Sequence, residues 1–341
     1  MAAGPEGFIA RWWRGEAGAA GSIASALTLP AAAAYRGVTT LRNLAFDRGL
    51  LGAAQADVPV ISIGNLTVGG TGKTPFSGWV VKELLADGRT PALLCRGYGS
   101  DEPLLHERWN PDAQVITRAD RPAGAREAVR KGADIIVLDD GFQHRRLQRD
   151  LDIVLVAHPQ GIRGRLLPRG PFREGVRALN RADTVILVHK GASVDAMDAL
   201  ARSVADVRPD LPRLQLCFAP GSWYSLDGQE AERPAMADLL GVTSVADPDA
   251  LGPFITASTG ATVSVKAYPD HHEYSEADVR AITDAAAGRT IVTTEKDSVK
   301  LVRFTHLLPD VRVLSLRLEW ELGEGIVRER IRALFDIETH A

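Results

Sequence analysis

The chain has 341 residues, 45% hydrophobic, 24% charged and 6% aromatic, with a formal net charge of -3 and a pI near 6.3. This composition excludes a disordered chain and a multi-span membrane protein, and the near-balanced charge excludes a chain-wide field for nucleic acid, so no nucleic-acid partner is expected. The two cysteines, Cys95 and Cys217, make neither a disulfide framework nor a zinc site and fit a reducing compartment.

Arg11, Arg14 and Glu16 interrupt any early apolar core, so no signal peptide of the usual layout is expected. The uncharged stretch Ala17 to Tyr35 approaches the roughly 20 residues that span a bilayer, but it is rich in Ala, Gly and Ser and contains Pro30. With Trp12 and Trp13 beside Arg11 and Arg14, it reads as a helix lying at a membrane interface; the alternative is an ordinary packed helix. Residues 1–45 are therefore set apart as an amphipathic, membrane-interfacial segment.

Strand-like runs follow at Val58 to Ile63, Ala92 to Cys95, Ile135 to Leu138, Ile153 to Val156 and Val185 to Val188, with helical patterns between most of them. Short, continuously apolar strands alternating with helices predict an α/β fold, a mostly parallel sheet covered on both faces that binds ligands at the carboxyl ends of its strands. This body is assigned to residues 46–219. Beyond Pro220 and Gly221 the strand candidates are shorter, at Thr262 to Ala267 and Thr290 to Thr293, and residues 220–341 read as a smaller C-terminal α/β lobe.

The first strand runs into Gly64-Asn65-Leu66-Thr67-Val68-Gly69-Gly70-Thr71-Gly72-Lys73-Thr74-Pro75. Glycines let backbone N–H groups converge on phosphate oxygens, Lys73 can reach the β and γ phosphates, and the Thr74 hydroxyl can meet Mg²⁺. The helix that starts here adds its dipole. The pattern G-x-x-x-x-G-K-[ST] asks for Gly where this chain has Thr67. ATP phosphates are thus assigned to Thr67, Gly69, Gly70, Thr71, Gly72, Lys73 and Thr74. The run Ile135 to Leu138 ends in Asp139-Asp140-Gly141, an apolar strand closing on carboxylates as a Walker B element does; either aspartate can complete the Mg²⁺ site with Thr74. Asn180-Arg181-Ala182-Asp183 resembles a guanine-reading motif but precedes its strand instead of following it, which favours ATP over GTP.

After the second strand, Arg96-Gly97-Tyr98-Gly99-Ser100-Asp101-Glu102-Pro103 occupies the ligand edge, where a carboxylate can deprotonate a hydroxyl. In the smaller lobe, Tyr268-Pro269-Asp270-His271-His272-Glu273-Tyr274 concentrates titratable groups, and a histidine there can orient such a base. Between His144 and Arg181 the chain carries Arg145, Arg146, Arg149, Arg163, Arg165, Arg169, Arg173, Arg177 and Arg181, a local anion surface in an otherwise acidic protein. Solvated helix faces are the plainer account of many of them.

These elements, with Asp139-Asp140-Gly141-Phe142-Gln143-His144, Leu167-Pro168-Arg169-Gly170-Pro171-Phe172-Arg173-Glu174, Asp270-His271-His272 and Thr293-Thr294-Glu295-Lys296-Asp297, resemble the tetraacyldisaccharide 4'-kinase family. The resemblance implies transfer of the ATP γ-phosphate to the 4'-hydroxyl of a tetraacylated glucosamine disaccharide 1-phosphate, a lipid A precursor. It implies a peripheral position at the cytoplasmic face of the bacterial inner membrane, with the membrane surface and the lipid as partners and no obligate protein partner. Asp101 would be the general base, His271 its partner, Lys73 the phosphate-binding cation, and Arg169, Arg173, Glu174 and Gln143 substrate contacts. Thr67 belongs to this family's form of the loop. Only Ser100 separates the Arg-Gly-Tyr-Gly and Asp-Glu-Pro motifs, where family members usually carry a longer insertion. The rival reading is a P-loop ATPase switch acting on a partner protein at the membrane.

Overall fold

The computed structural model describes residues 5–97, 101–308 and 310–336. Tyr98, Gly99 and Ser100 of the motif before Asp101 lie outside them. Three helices come first: α1 (Pro5–Trp13), α2 (Gly18–Leu27) and α3 (Leu29–Asp47). Then follow β1 (Val60–Asn65), α4 (Lys73–Ala86), β2 (Pro91–Cys95), α5 (Asp101–Trp109), β3 (Gln114–Thr117), α6 (Arg121–Arg130), β4 (Ile135–Asp139), β5 (Leu151–Ala157), β6 (Thr184–His189) and α7 (Val194–Ala205). The remainder comprises β7 (Gln215–Tyr224), β8 (Leu239–Thr243), α8 (Leu251–Thr259), β9 (Val263–Ala267), α9 (Glu276–Ala286), β10 (Ile291–Thr294), α10 (Glu295–Leu301), β11 (Val311–Leu322) and α11 (Glu324–Asp336).

The described strands form a single sheet in the order β3-β2-β4-β1-β5-β6-β7-β11-β10-β8-β9. Every pairing is parallel except that of β7 with β11. The apolar runs serve both faces by alternation. In β4, Ile135 and Val137 join one core with Leu93, Ile61 and Ile153, while Ile136 and Leu138 join another with Ala92, Leu94 and Val60. Both faces are covered, which is why these strands are continuously hydrophobic.

Each strand-like run expected from sequence overlaps a strand, but β3, β7, β8 and β11 were not anticipated. In β7 the Pro220-Gly221 pair, read as the edge of a second lobe, lies inside the strand. Proline lacks the N–H a ladder needs and is tolerated at irregularities. Here the register with β11 shifts between Leu314 and Leu316, opposite Pro220. Gly221 fits because a Cβ there would lie 2.4 Å from the Ser315 hydroxyl. The change of texture in the sequence thus coincides with the one antiparallel seam of the sheet.

The uncharged N-terminal stretch divides at Thr28 into α2 and the start of α3. Among the described residues no helix is long and apolar enough to cross a membrane. The indole N–H groups of Trp12 and Trp13 donate inside the protein, to Ser25 Oγ at 2.8 Å and to the Pro168 carbonyl at 3.0 Å.

Candidate active site

Parallel β1, β2 and β4 lie side by side, so the segments leaving their carboxyl ends meet at one edge of the sheet. The loop from β1 to α4 carries left-handed Gly69 and Gly72, the latter as the residue before the helix. A Cβ on Gly72 would sit 2.1 Å from the Phe218 ring. Both the backbone angle and the close approach demand glycine there. Gly72→Ala is expected to cost about 1–3 kcal/mol of stability and to weaken ATP binding, checked by thermal unfolding and ATP titration.

Thr67 and Thr71 are buried supports of this loop. The Thr67 hydroxyl donates to Gln160 Oε1 at 2.7 Å, and Asn65 Nδ2 donates to Thr71 Oγ1 at 2.8 Å. Gln143 Nε2 donates to the Asn65 carbonyl at 2.8 Å, so this residue braces the turn. The backbone of the 166–173 loop runs alongside: Val68 N–H donates to the Pro171 carbonyl and Arg173 N–H to the Leu66 carbonyl, both at 2.8 Å.

The two aspartates closing β4 have different surroundings. Asp140, in a left-handed conformation, lies 3.6 Å from Lys73 Nζ and accepts from Arg173 at 2.7 Å. Burial opposes its ionisation, but Lys73 and Arg173 outweigh it and hold the carboxyl below its ordinary range. Asp139 is buried, with Oδ2 3.2 Å from His106 Nε2 and Oδ1 without a hydrogen-bond partner. The orphaned Asp139 oxygen and the Asp140 carboxylate are the kind of oxygen donor that Mg²⁺ takes, since it binds through one or two carboxylates, phosphates and water.

Asp101 opens α5 and is fully buried. His271 Nδ1 lies 3.0 and 3.1 Å from its two oxygens, across 170 positions of sequence. Lys296 and Lys300 stand 3.5 and 3.6 Å from Asp101 Oδ2. Burial works against ionisation, but the His271 hydrogen bond and the charges of Lys296, His271 and Lys300 win and bring the carboxyl to about 2. The same hydrogen bond raises His271 above its ordinary value. The neighbouring Glu102 is pushed up to about 7 by burial and by Asp139; α5 lies against the end of β4, where His106 meets Asp139.

A polar cavity of about 410 Å³ opens between α3 and the phosphate loop, lined from α3 by Tyr35, Thr39 and Arg42 and from the sheet edge by Arg96, Asp140, Gln143, His144, Arg173 and Glu174. Glu174 is buried and accepts from Arg42, Asn43 and Arg181, so it fastens α3 to the loop. Tyr35 OH donates to the Arg173 carbonyl at 3.0 Å. Arg169 is not among the residues lining this cavity, nor is Asp101. The contributions of α3, His106, Lys296 and Lys300 escaped sequence reasoning. Spacing held part of the signal: Tyr35, Thr39 and Arg42, like Lys296 and Lys300, recur at helical intervals and share a face.

A phosphate loop, a lysine, paired carboxylates at a neighbouring strand end and a histidine-held aspartate define a P-loop phosphotransferase. The family described as Tetraacyldisaccharide-1-P 4'-kinase, LpxK, matches residues 24–336. The chain belongs to this family, and it is a kinase. The tetraacyldisaccharide 4'-kinase of Anaeromyxobacter sp. (strain K) is 37% identical over 353 residues, covering 94% of this chain and 92% of that protein. That of Chlorobaculum parvum is 33% identical over 354 residues, covering 93% and 96%. The crystal structure of "apo" form LpxK from Aquifex aeolicus in complex with ATP aligns with a TM-score of 0.70 at 27% identity, covering 91% of this chain and 99% of that one.

Proposed function

We propose that the protein transfers the γ-phosphate of Mg-ATP to the 4'-hydroxyl of a tetraacylated glucosamine disaccharide 1-phosphate in lipid A biosynthesis. The observation that carries this reading is the pairing of Asp101 with His271 at the sheet edge that also carries Lys73 and Asp140. Lys73 and the loop amides hold phosphate; Thr74 with Asp139 or Asp140 holds Mg²⁺, which neutralises charge on the phosphates when bound. Asp101, ionised at all working pH values, accepts the hydroxyl proton, and His271 orients it. Asp101 meets His271 and the two lysines where the smaller C-terminal lobe, taken here as residues 220–341, closes over the active site. Residues 46–219 serve as the ATP-binding core.

Arg173, Gln143 and the α3 face make the cavity a fitting place for a phosphorylated sugar, with Glu174 setting its wall and Arg169 outside it. Ile23, Leu27, Leu29, Val38 and Leu41 of α2 and α3 are between 52% and 77% exposed. Such a row of bare aliphatic side chains beside a headgroup-sized cavity suits docking on the cytoplasmic face of the inner membrane, with acyl chains left in the bilayer.

Incubation with Mg-ATP and the tetraacyldisaccharide 1-phosphate is expected to yield a lipid heavier by one phosphate, with ADP formation dependent on the acceptor. ADP released at the same rate without lipid would instead favour an ATPase switch.

A further inference from the structure

The motif Thr293-Thr294-Glu295-Lys296-Asp297 has no part in phosphate or acceptor binding as proposed above, yet it builds a buried polar knot. Asp297 is 0% exposed and accepts from Thr243 Oγ1, the Ser244 backbone N–H, Tyr274 OH and Thr294 Oγ1 at 2.8–2.9 Å. Thr294 in return accepts from the Asp297 N–H and caps α10. This carboxylate is therefore fixed from all sides. One turn on, Lys300 donates to Ser244 Oγ at 2.8 Å and lies 3.9 Å from Asp297 Oδ1 and 3.6 Å from Asp101 Oδ2. Removing a charge from water is tolerable only opposite counter-charges, and Lys300 has two.

The same helix grips α5 at its other end. Arg108 donates to Ser298 Oγ and Trp109 Nε1 to Glu295 Oε1, both at 2.8 Å. Among the described residues, the groups facing Asp101 are Glu102 on its own helix, His271 with Asp270 behind it, and Lys296 and Lys300 from α10 with Asp297 behind Lys300. The His271 and Lys296 side chains are 23% and 22% exposed, whereas that of Lys300 is 1% exposed. All three cations lower Asp101, Lys296 more than Lys300, but Lys300 is the one held away from water and fixed by its own anchor.

We propose that Lys300, anchored by Asp297, is a positioning residue that fixes the orientation and charge of Asp101 independently of His271. The inference rests on Asp101 being the general base.

The test is Lys300→Met, and beside it the double variant Lys300→Met with Asp297→Asn, which removes the buried pair together and leaves no orphaned partner if the single variant does not fold. Each is measured with Mg-ATP and lipid acceptor in the wild-type and Asp101→Ala backgrounds. With Asp101 present, kcat is expected to fall on the order of tenfold at unchanged KM for ATP, and the acid limb of the pH profile to move to higher pH than in the wild type, because the carboxyl loses a neighbouring cation. In the Asp101→Ala background neither variant is expected to slow the enzyme further. An equal loss in both backgrounds would show a merely structural role and overturn the proposal, as would a folded variant with wild-type kcat and pH profile. Normal turnover by Asp101→Ala alone would remove the base assignment itself, a failure told apart by that one measurement.

Discussion

Replacing Asp101 with alanine is expected to lower kcat by about 10²- to 10⁴-fold, the usual contribution of a positioned general base, while ATP binding is retained. The expectation follows from the separation of tasks in the site. Asp101 touches His271, Lys296 and Lys300, none of which belongs to the phosphate loop, so its removal leaves the ATP contacts in place. The pH dependence has a definite sign. With the folded carboxyl at about 2, below its ordinary value, the ionised base persists through the neutral range and is lost only as pH falls through that value. Steady-state rates at saturating ATP, with ATP affinity measured separately by titration, check the result. Undiminished kcat would remove Asp101 from the chemistry.

The second large effect is expected at Lys73. Its ammonium stands 3.6 Å from Asp140, a carboxylate shared with Arg173. On the proposed assignment, Lys73→Ala deletes the cation that serves the β and γ phosphates, where negative charge moves during transfer. Loss of one preorganised donor of this kind costs about 10²- to 10³-fold in kcat. Unlike Asp101→Ala, this variant is also expected to bind ATP more weakly, since the cation serves ground state and transition state alike. Asp140 keeps Arg173 as its partner, so the fold is expected to tolerate the change, and an unchanged melting temperature without nucleotide checks that. A Lys73→Ala enzyme with normal affinity and rate would contradict the phosphate-loop assignment.

What could be read in the sequence was local. The strand, glycine turn and Lys73-Thr74 pair are contiguous, and the demand for glycine at position 72 is written in the backbone, so residue order alone carries the chemistry. The strand ending at Asp139 was equally plain, because burial on both sheet faces makes such strands continuously apolar. Contacts between distant segments had no such signature. Asp101 and His271 lie 170 positions apart, and it was family resemblance, not spacing, that joined them. The cavity wall from α3 depends on Arg42 and Asn43 meeting Glu174 across more than 130 positions. Strand β7 was misread because Pro220 and Gly221 signal a break unless a bulge in the partner strand accommodates them. His106 gave no sign at all: one histidine in a helical stretch acquires meaning only when the helix lies against Asp139.

Helix α11 bears on how the molecule comes into being. Its Val327 and Ile331 share a core with Phe76, Val80 and Leu84 of α4, the helix that begins at the phosphate loop, and Arg332 pairs with Asp87 across 245 positions. During synthesis the first strands and α4 leave the ribosome long before the residues that cover them. The nucleotide-binding body therefore cannot complete its core until residues 324–336 have been made, and its apolar face stays open to chaperones or to misassembly in the interval. Assembly is gated by α11, so a nascent chain halted before Glu324 would carry the whole loop from β1 to α4 and still lack a finished core beneath it.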